Sequence, residues 1–286
     1  MAGPSGRSIP RDATGQVRLT AVPNIRGVEL DVRDEGAGLP FLWGHGLVSS
    51  MEEEDRFIVM DFGRLARRHR VIRWDARGHG SSSGRPVADD YRWDNLGRDL
   101  LALADELGID QFVAGGVSMG AATALHAAVQ APRRVIGLVL MLAPTAYETR
   151  EEQADLYRAG AVLVDRIGMD AYVEGLQNLP PPELLAEFGD RFIPVPRVSG
   201  ELLPAVLRGA ANSDLPSPES VRAITAPALL LPWVGDAGHP MSTSERLLEL
   251  LPNVQIHVAH HLRDVGTWTD RIDSFLDARA PETTTA

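Results

Sequence analysis

The strongest constraint this chain places on its own fold is an alternation that runs through most of its length. Short, mostly apolar runs occur at PFLW (40–43), RVIRW (70–74), QFVAGGV (111–117), RVIGLVLML (134–142), PALLLPWV (227–234) and VQIHVA (254–259). Runs of that length and apolar content fit strands buried on both faces. Stretches with helical spacing separate them, at 53–69, 91–108, 119–130, 243–251 and 264–279. Strand alternating with helix implies a parallel sheet covered by helices on both sides. Near the start, VRLTAV (17–22) and VELDVRD (28–34) alternate apolar with polar residues and read as a leading hairpin on a half-exposed edge.

The rhythm stops over roughly 145–222. From Tyr147 to Leu207 the spacing is helical, punctuated by Pro180, Pro181, Pro182, Pro194, Pro196 and Pro204, with no strand pattern. Such a stretch reads as a helical cap inserted above the carboxyl edge of the sheet, where α/β sheets bind ligands. Its Val162, Leu163, Ile167, Tyr172, Leu176, Leu184, Leu185 and Phe188 would mainly pack the cap, with an apolar substrate pocket as their second use. The expected fold class is therefore α/β, a mostly parallel eight-stranded-type sheet flanked by helices with a helical cap insertion. The expected division is core 12–144, cap 145–222 and core again 223–280, with the first dozen residues and the tail PETTTA frayed.

Composition removes several kinds of chemistry. With 286 residues, 44% of them hydrophobic, the chain can bury one large core. A net charge of -11 works against a nucleic-acid groove, which needs clustered cations. All 28 basic residues are arginine and there is no cysteine, so a lysine Schiff base, a thiol nucleophile and a thiolate metal site are excluded. The histidines lack a spacing such as H-E-x-x-H, so neither metal nor cofactor is expected. No apolar run of about 18 residues and no signal-like core occur, from which a cytoplasmic chain without a membrane partner is expected. Oligomeric state is not readable from these residues.

Within QFVAGGVSMGAATALHAAVQ (111–130) the stretch Gly116-Val117-Ser118-Met119-Gly120 joins a strand to a helix. A serine hydroxyl needs a base, an orienting acid and an oxyanion site before it attacks anything. Glycines on both sides suit a strained turn, and the Met119 N–H, at the positive end of the following helix, suits an oxyanion. The plainer reading makes Ser118 a helix N-cap.

Together with WGHGL (43–47) and DARGHGSS (75–82), this turn resembles the α/β-hydrolase fold family, serine esterase-like branch, over nearly the whole chain. The resemblance implies Ser118 as nucleophile and the Leu47 and Met119 N–H groups as oxyanion donors. His45 is expected to shape the loop before Leu47, and His79 to sit in a structural turn. The same resemblance implies the order serine, acid, histidine. GDAGHP (235–240) offers Asp236 as acid, two residues early for the family pattern, with Glu148 as a remote substitute. VAHHLRDVG (258–266) offers His260 and His261 as base, with His261 preferred because it lies further from the buried strand. A third candidate is His239, on the acid's own loop; so short a separation rarely orients an acid and an imidazole toward one outside atom. His69, His126 and His257 fall in helices or a strand and read as structural. The implied activity is cleavage of a small-molecule carboxylester, lactone or thioester through an acyl-enzyme. The alternative is a degenerate triad serving a binding protein or non-hydrolytic, lyase- or oxygenase-type chemistry.

Overall fold

A computed structural model describes residues 16–18, 22–57, 59–178, 184 and 195–280. Its sheet is formed by β1 (Gln16–Arg18), β4 (Val32–Gly36), β5 (Pro40–Gly44), β6 (Arg70–Trp74), β7 (Phe112–Val117), β8 (Val135–Met141), β9 (Ala228–Leu231) and β10 (Val254–Ile256). Their spatial order is β1-β4-β6-β5-β7-β8-β9-β10. The pairs β1–β4 and β4–β6 are antiparallel, and every pair from β6 to β10 is parallel. Between β1 and β4 lies a two-stranded ladder of β2 (Asn24–Ile25) and β3 (Val28–Glu29). The leading hairpin expected from the sequence is present in part, with Val17 and Arg18 pairing antiparallel with Asp34 and Arg33, and a second ladder occupies the chain between. Val28–Glu29 pairs with Asn24–Ile25, while Gln16–Arg18 and Val32–Gly36 both enter the main sheet.

Alternate residues of a strand point to opposite faces, and here both faces are apolar. Leu42, Ile72, Ala114, Leu138 and Leu230 enter one cluster, with α3 (Trp93–Glu106), α4 (Met119–Gln130), α8 (Pro218–Arg222) and α9 (Met241–Leu250). Phe41, Trp43, Val71, Val113, Val139 and Leu229 enter the other, with α2 (Phe62–Leu65) and α11 (Trp268–Asp277). Burying each such side chain contributes about 2 kcal/mol, so the hydrophobicity of these runs places them at the centre of the sheet.

Two expected helices are interrupted. The 53–69 stretch divides into α1 (Met51–Phe57) and α2, because the Asp61 carboxylate accepts the Arg64 N–H at 2.8 Å and starts a new helix. The 264–279 stretch divides into α10 (Leu262–Val265) and α11. Between β8 and α8 come α5 (Arg150–Arg166), α6 (Met169–Gln177) and α7 (Leu203–Ala211), all helical as read. Ala161, Val164, Val198, Leu203, Val206 and Leu207 build a third apolar cluster there, on which Leu47 and Val48 pack. Val162 and Ile167 do not join it; they are exposed. Pro180, Pro181, Pro182, Leu185, Phe188, Pro194 and the tail PETTTA lie outside the described residues. Among the described residues no helix is long and apolar enough to cross a membrane.

Candidate active site

The sheet register brings the site's loops together. Gly44 pairs with Gly116, so the chain leaves β5 and β7 at the same level. The loop from His45 to Val48 therefore starts beside the turn that carries Ser118. That turn is tight: Ser118 has φ 56° and ψ −112°, a left-handed conformation that non-glycine residues seldom take. A Cβ on Gly120 would lie 1.9 Å from the Gly44 carbonyl oxygen, and one on Gly116 would lie 2.4 Å from the Gly120 carbonyl carbon. The two glycines thus let α4 approach β5 closely enough to present Ser118 at the carboxyl edge.

The Ser118 hydroxyl is 2.9 Å from Nε2 of His239, whose Nδ1 is 2.8 Å from Oδ2 of Asp236. Burial pushes the Asp236 carboxyl up, but the hydrogen bond and charge of His239 outweigh it, and the Trp233 indole and the Gly238 N–H add to the effect. The result is a pKa of about 2. The carboxylate can only accept, so Nδ1 carries the ring proton and Nε2 is left to accept from the Ser118 hydroxyl. Trp233 Nε1 donates to Oδ2 at 2.7 Å and Gly238 N–H to Oδ1 at 2.9 Å, which holds the carboxylate against rotation. The short separation works because the chain turns sharply here. Gly235 has φ 76°, and the His239 N–H returns to the Asp236 carbonyl at 3.3 Å.

The structure thus brings His239, and not His261 or His260, into hydrogen-bond contact with this serine. Both are exposed, and their backbone N–H groups donate to Oδ2 of Asp264 at 3.0 and 2.9 Å. After the bridge from Ala259 to Trp233 the chain turns at once into α10, with His261 as its N-cap, and the two histidines stay at the sheet's edge. Glu148 is exposed on a 3₁₀ turn, and the carboxylate bonded to His239 is that of Asp236. The other histidines have structural partners. His69 Nε2 donates to Asp273 at 3.1 Å, His126 Nε2 lies 2.9 Å from the Asp214 carbonyl and His257 Nε2 lies 3.3 Å from Arg271. Arg68 bonds both Asp273 and Asp277, making the group around His69 an ion-pair network.

On the other side of Ser118 lies the segment after β5. A Cβ on Gly46 would be 3.7 Å from Ser118 Cβ. His45 Nδ1 donates to the Gly46 carbonyl at 2.7 Å and Nε2 accepts the Ala76 N–H at 2.9 Å, pinning the loop to the turn after β6. Burial lowers the His45 pKa to about 4. His79, 5.1 Å away ring to ring, is lowered to about 3 by burial and by its neighbour His45. Both rings are neutral wedges between loops. Among the described residues neither the Leu47 nor the Met119 backbone N–H has a hydrogen-bond partner.

Sequence reasoning missed Trp233. A tryptophan buried at a strand end needs a partner for its indole N–H, and the acid three residues on was the available one.

A mostly parallel α/β sheet with a serine on a strained strand-to-helix turn, bonded through a histidine to a carboxylate from a later loop, defines a class of hydrolytic enzyme. The comparisons agree with it. Residues 40–160 match the family model described as alpha/beta hydrolase fold. A putative carbamate hydrolase, RutD, of Variovorax paradoxus is 31% identical over 205 residues, 68% of this chain and 73% of that protein. A 3-oxoadipate enol-lactonase of Acinetobacter baylyi is 42% identical over 99 residues, 35% of each chain. The structure of a thermophilic esterase from Thermogutta terrifontis superposes with a TM-score of 0.75 at 26% identity, covering 93% of this chain and 98% of that one. This chain belongs to the α/β-hydrolase fold family and is an enzyme of the hydrolase type.

Proposed function

We propose that the protein is a serine hydrolase that cleaves an ester-type bond of a small molecule, a carboxylester, lactone or thioester, through an acyl-enzyme. The observation that carries this reading is the unbroken chain from Ser118 Oγ through His239 to Asp236, at 2.9 and 2.8 Å. His239 Nε2 takes the hydroxyl proton as Oγ attacks the carbonyl, and Asp236 balances the imidazolium that forms. The tetrahedral oxyanion rests on the Leu47 and Met119 N–H groups, each worth about 3 kcal/mol in comparable sites. His239 then protonates the leaving group, and water, activated by the same ring, releases the acid. The helices α5 to α7 act as a cap over this edge, with their apolar cluster packed on Leu47 and Val48. Relatives named for enol-lactone, carbamate and ester chemistry support attack on a carbonyl bearing a heteroatom leaving group. The binding-protein alternative drew on the displaced acid and the absent Gly-His pair, and Asp236 with His239 supplies side chains for both roles. A fluorophosphonate should label Ser118 alone, and Ser118→Ala should abolish both labelling and ester turnover. Turnover surviving in Ser118→Ala overturns the proposal.

A further inference from the structure

The segment 195–200, which returns from the inserted helices toward the sheet, crosses the loops that leave β5 and β6. The crossing is at Arg197. Its N–H donates to the Val48 carbonyl at 2.7 Å, and its carbonyl accepts the Gly80 N–H at 2.7 Å. Its guanidinium reaches Oε2 of Glu53 through Nε at 2.8 Å and Nη2 at 2.6 Å. The Glu53 side chain is 5% exposed, and the Ser50 hydroxyl accepts its N–H at 3.2 Å, so this anchor is itself fixed. Three attachments on one residue thus join the inserted region to the loop before α1 and to the turn holding His79.

The residue so held is in an unfavourable conformation. Val48 has φ 57°, and a β-branched side chain in the left-handed region is a genuine outlier that persists only when its surroundings impose it. Val48 directly follows Leu47. If Val48 relaxed, the peptide units around Leu47 would turn with it, and a misplacement of about 1 Å in a catalytic group can cost on the order of 100-fold in rate.

We propose that Arg197 is a positioning residue for the oxyanion site: its attachments to Val48, Gly80 and Glu53 hold Val48 in its left-handed conformation and so aim the Leu47 N–H at the reacting carbonyl oxygen. The inference rests on the reading of Leu47 as an oxyanion donor. Seating of the inserted helices and completion of the donor pair become one event, because the same segment serves both.

The test uses the full chain, with p-nitrophenyl butyrate as substrate and a fluorophosphonate as label. Arg197→Gln should lower kcat about tenfold with KM changed less than about twofold, and should slow labelling in step with kcat. Adding Val48→Gly should recover at least about threefold of that loss, since glycine adopts positive φ without a hold. A merely structural Arg197 would instead lower Tm and the active fraction, without the kcat-specific loss or the recovery. If Arg197→Gln fails to fold, Glu53→Gln removes the same ion pair at similar volume, and the same split is expected. Unchanged kcat in a folded variant, or no recovery with glycine, overturns this inference alone. Absence of label and turnover in the unsubstituted protein brings down the serine-hydrolase reading, and this inference with it.

Discussion

Asp236 accepts three hydrogen bonds on two oxygens, from Trp233, Gly238 and His239, and so stays ionised throughout the working pH range. Asp236→Asn keeps the shape but offers an amide donor toward Nδ1, so the ring must shift its proton to Nε2 and can no longer accept from Ser118. Steady-state kinetics should show kcat reduced about 10⁴-fold with the circular dichroism spectrum unchanged; a loss below tenfold would remove the carboxylate from the mechanism. Trp233→Phe deletes one of three donors, so kcat should fall by a smaller factor and the carboxyl pKa should rise. Much of this site was legible in the residues. Ser118 and Met119 are marked by glycines that act within three residues, and the Leu47 loop and Asp236 by nearby short motifs. The proposed base was not, because choosing between His239 and His261 depends on where the loop after Trp233 turns, and on how soon the chain after Ala259 becomes helical.

Helix ends explain the histidine assignment. Because α10 begins directly after His261, a substitution there touches a cap and nothing at the serine. His261→Ala and His260→Ala should each leave kcat within about twofold of the unsubstituted value, whereas His239→Ala should remove turnover; the reverse pattern in the same assay would restore the edge histidines as the base. The junction of α4 with β5 is far less tolerant. Gly120→Ala drives a methyl group into the Gly44 carbonyl at 1.9 Å, and backbone on both sides cannot yield. Urea denaturation should show a loss of at least about 3 kcal/mol, or no soluble protein. The central strands and the α3, α4 and α9 helices were readable because mostly apolar runs and helical spacing are local properties. The break between α1 and α2 and the extra ladder of β2 and β3 were not. They depend on a cap at Asp61 and on pairings across chain segments.

Acid should unfold the molecule sooner than its carboxylates alone would require. His45 and His79 have folded pKa values of about 4 and about 3, below the unfolded value near 6.5. The unfolded chain therefore takes up protons first, and the stability these neutral rings represent, full above pH 6.5, declines as pH falls toward their folded values. The loss by pH 5 should be roughly 2 kcal/mol per histidine, read from urea midpoints at pH 7 and pH 5. Replacing His79 with glutamine should flatten that slope, and an equal slope in the variant would remove His79 as its source. Asp236 acts in a lower window: its contribution is present above about pH 4 and is lost as pH falls through its folded value near 2. At the scale of the whole site, acid and base sit three residues apart on a single turn. When that turn moves as a body, the carboxylate–imidazole bond travels with it, while the 2.9 Å contact to Ser118 and the Thr145 N–H bond to the Gly238 carbonyl stretch. Separating the proposed catalytic groups along that coordinate would keep the Asp236–His239 hydrogen bond together.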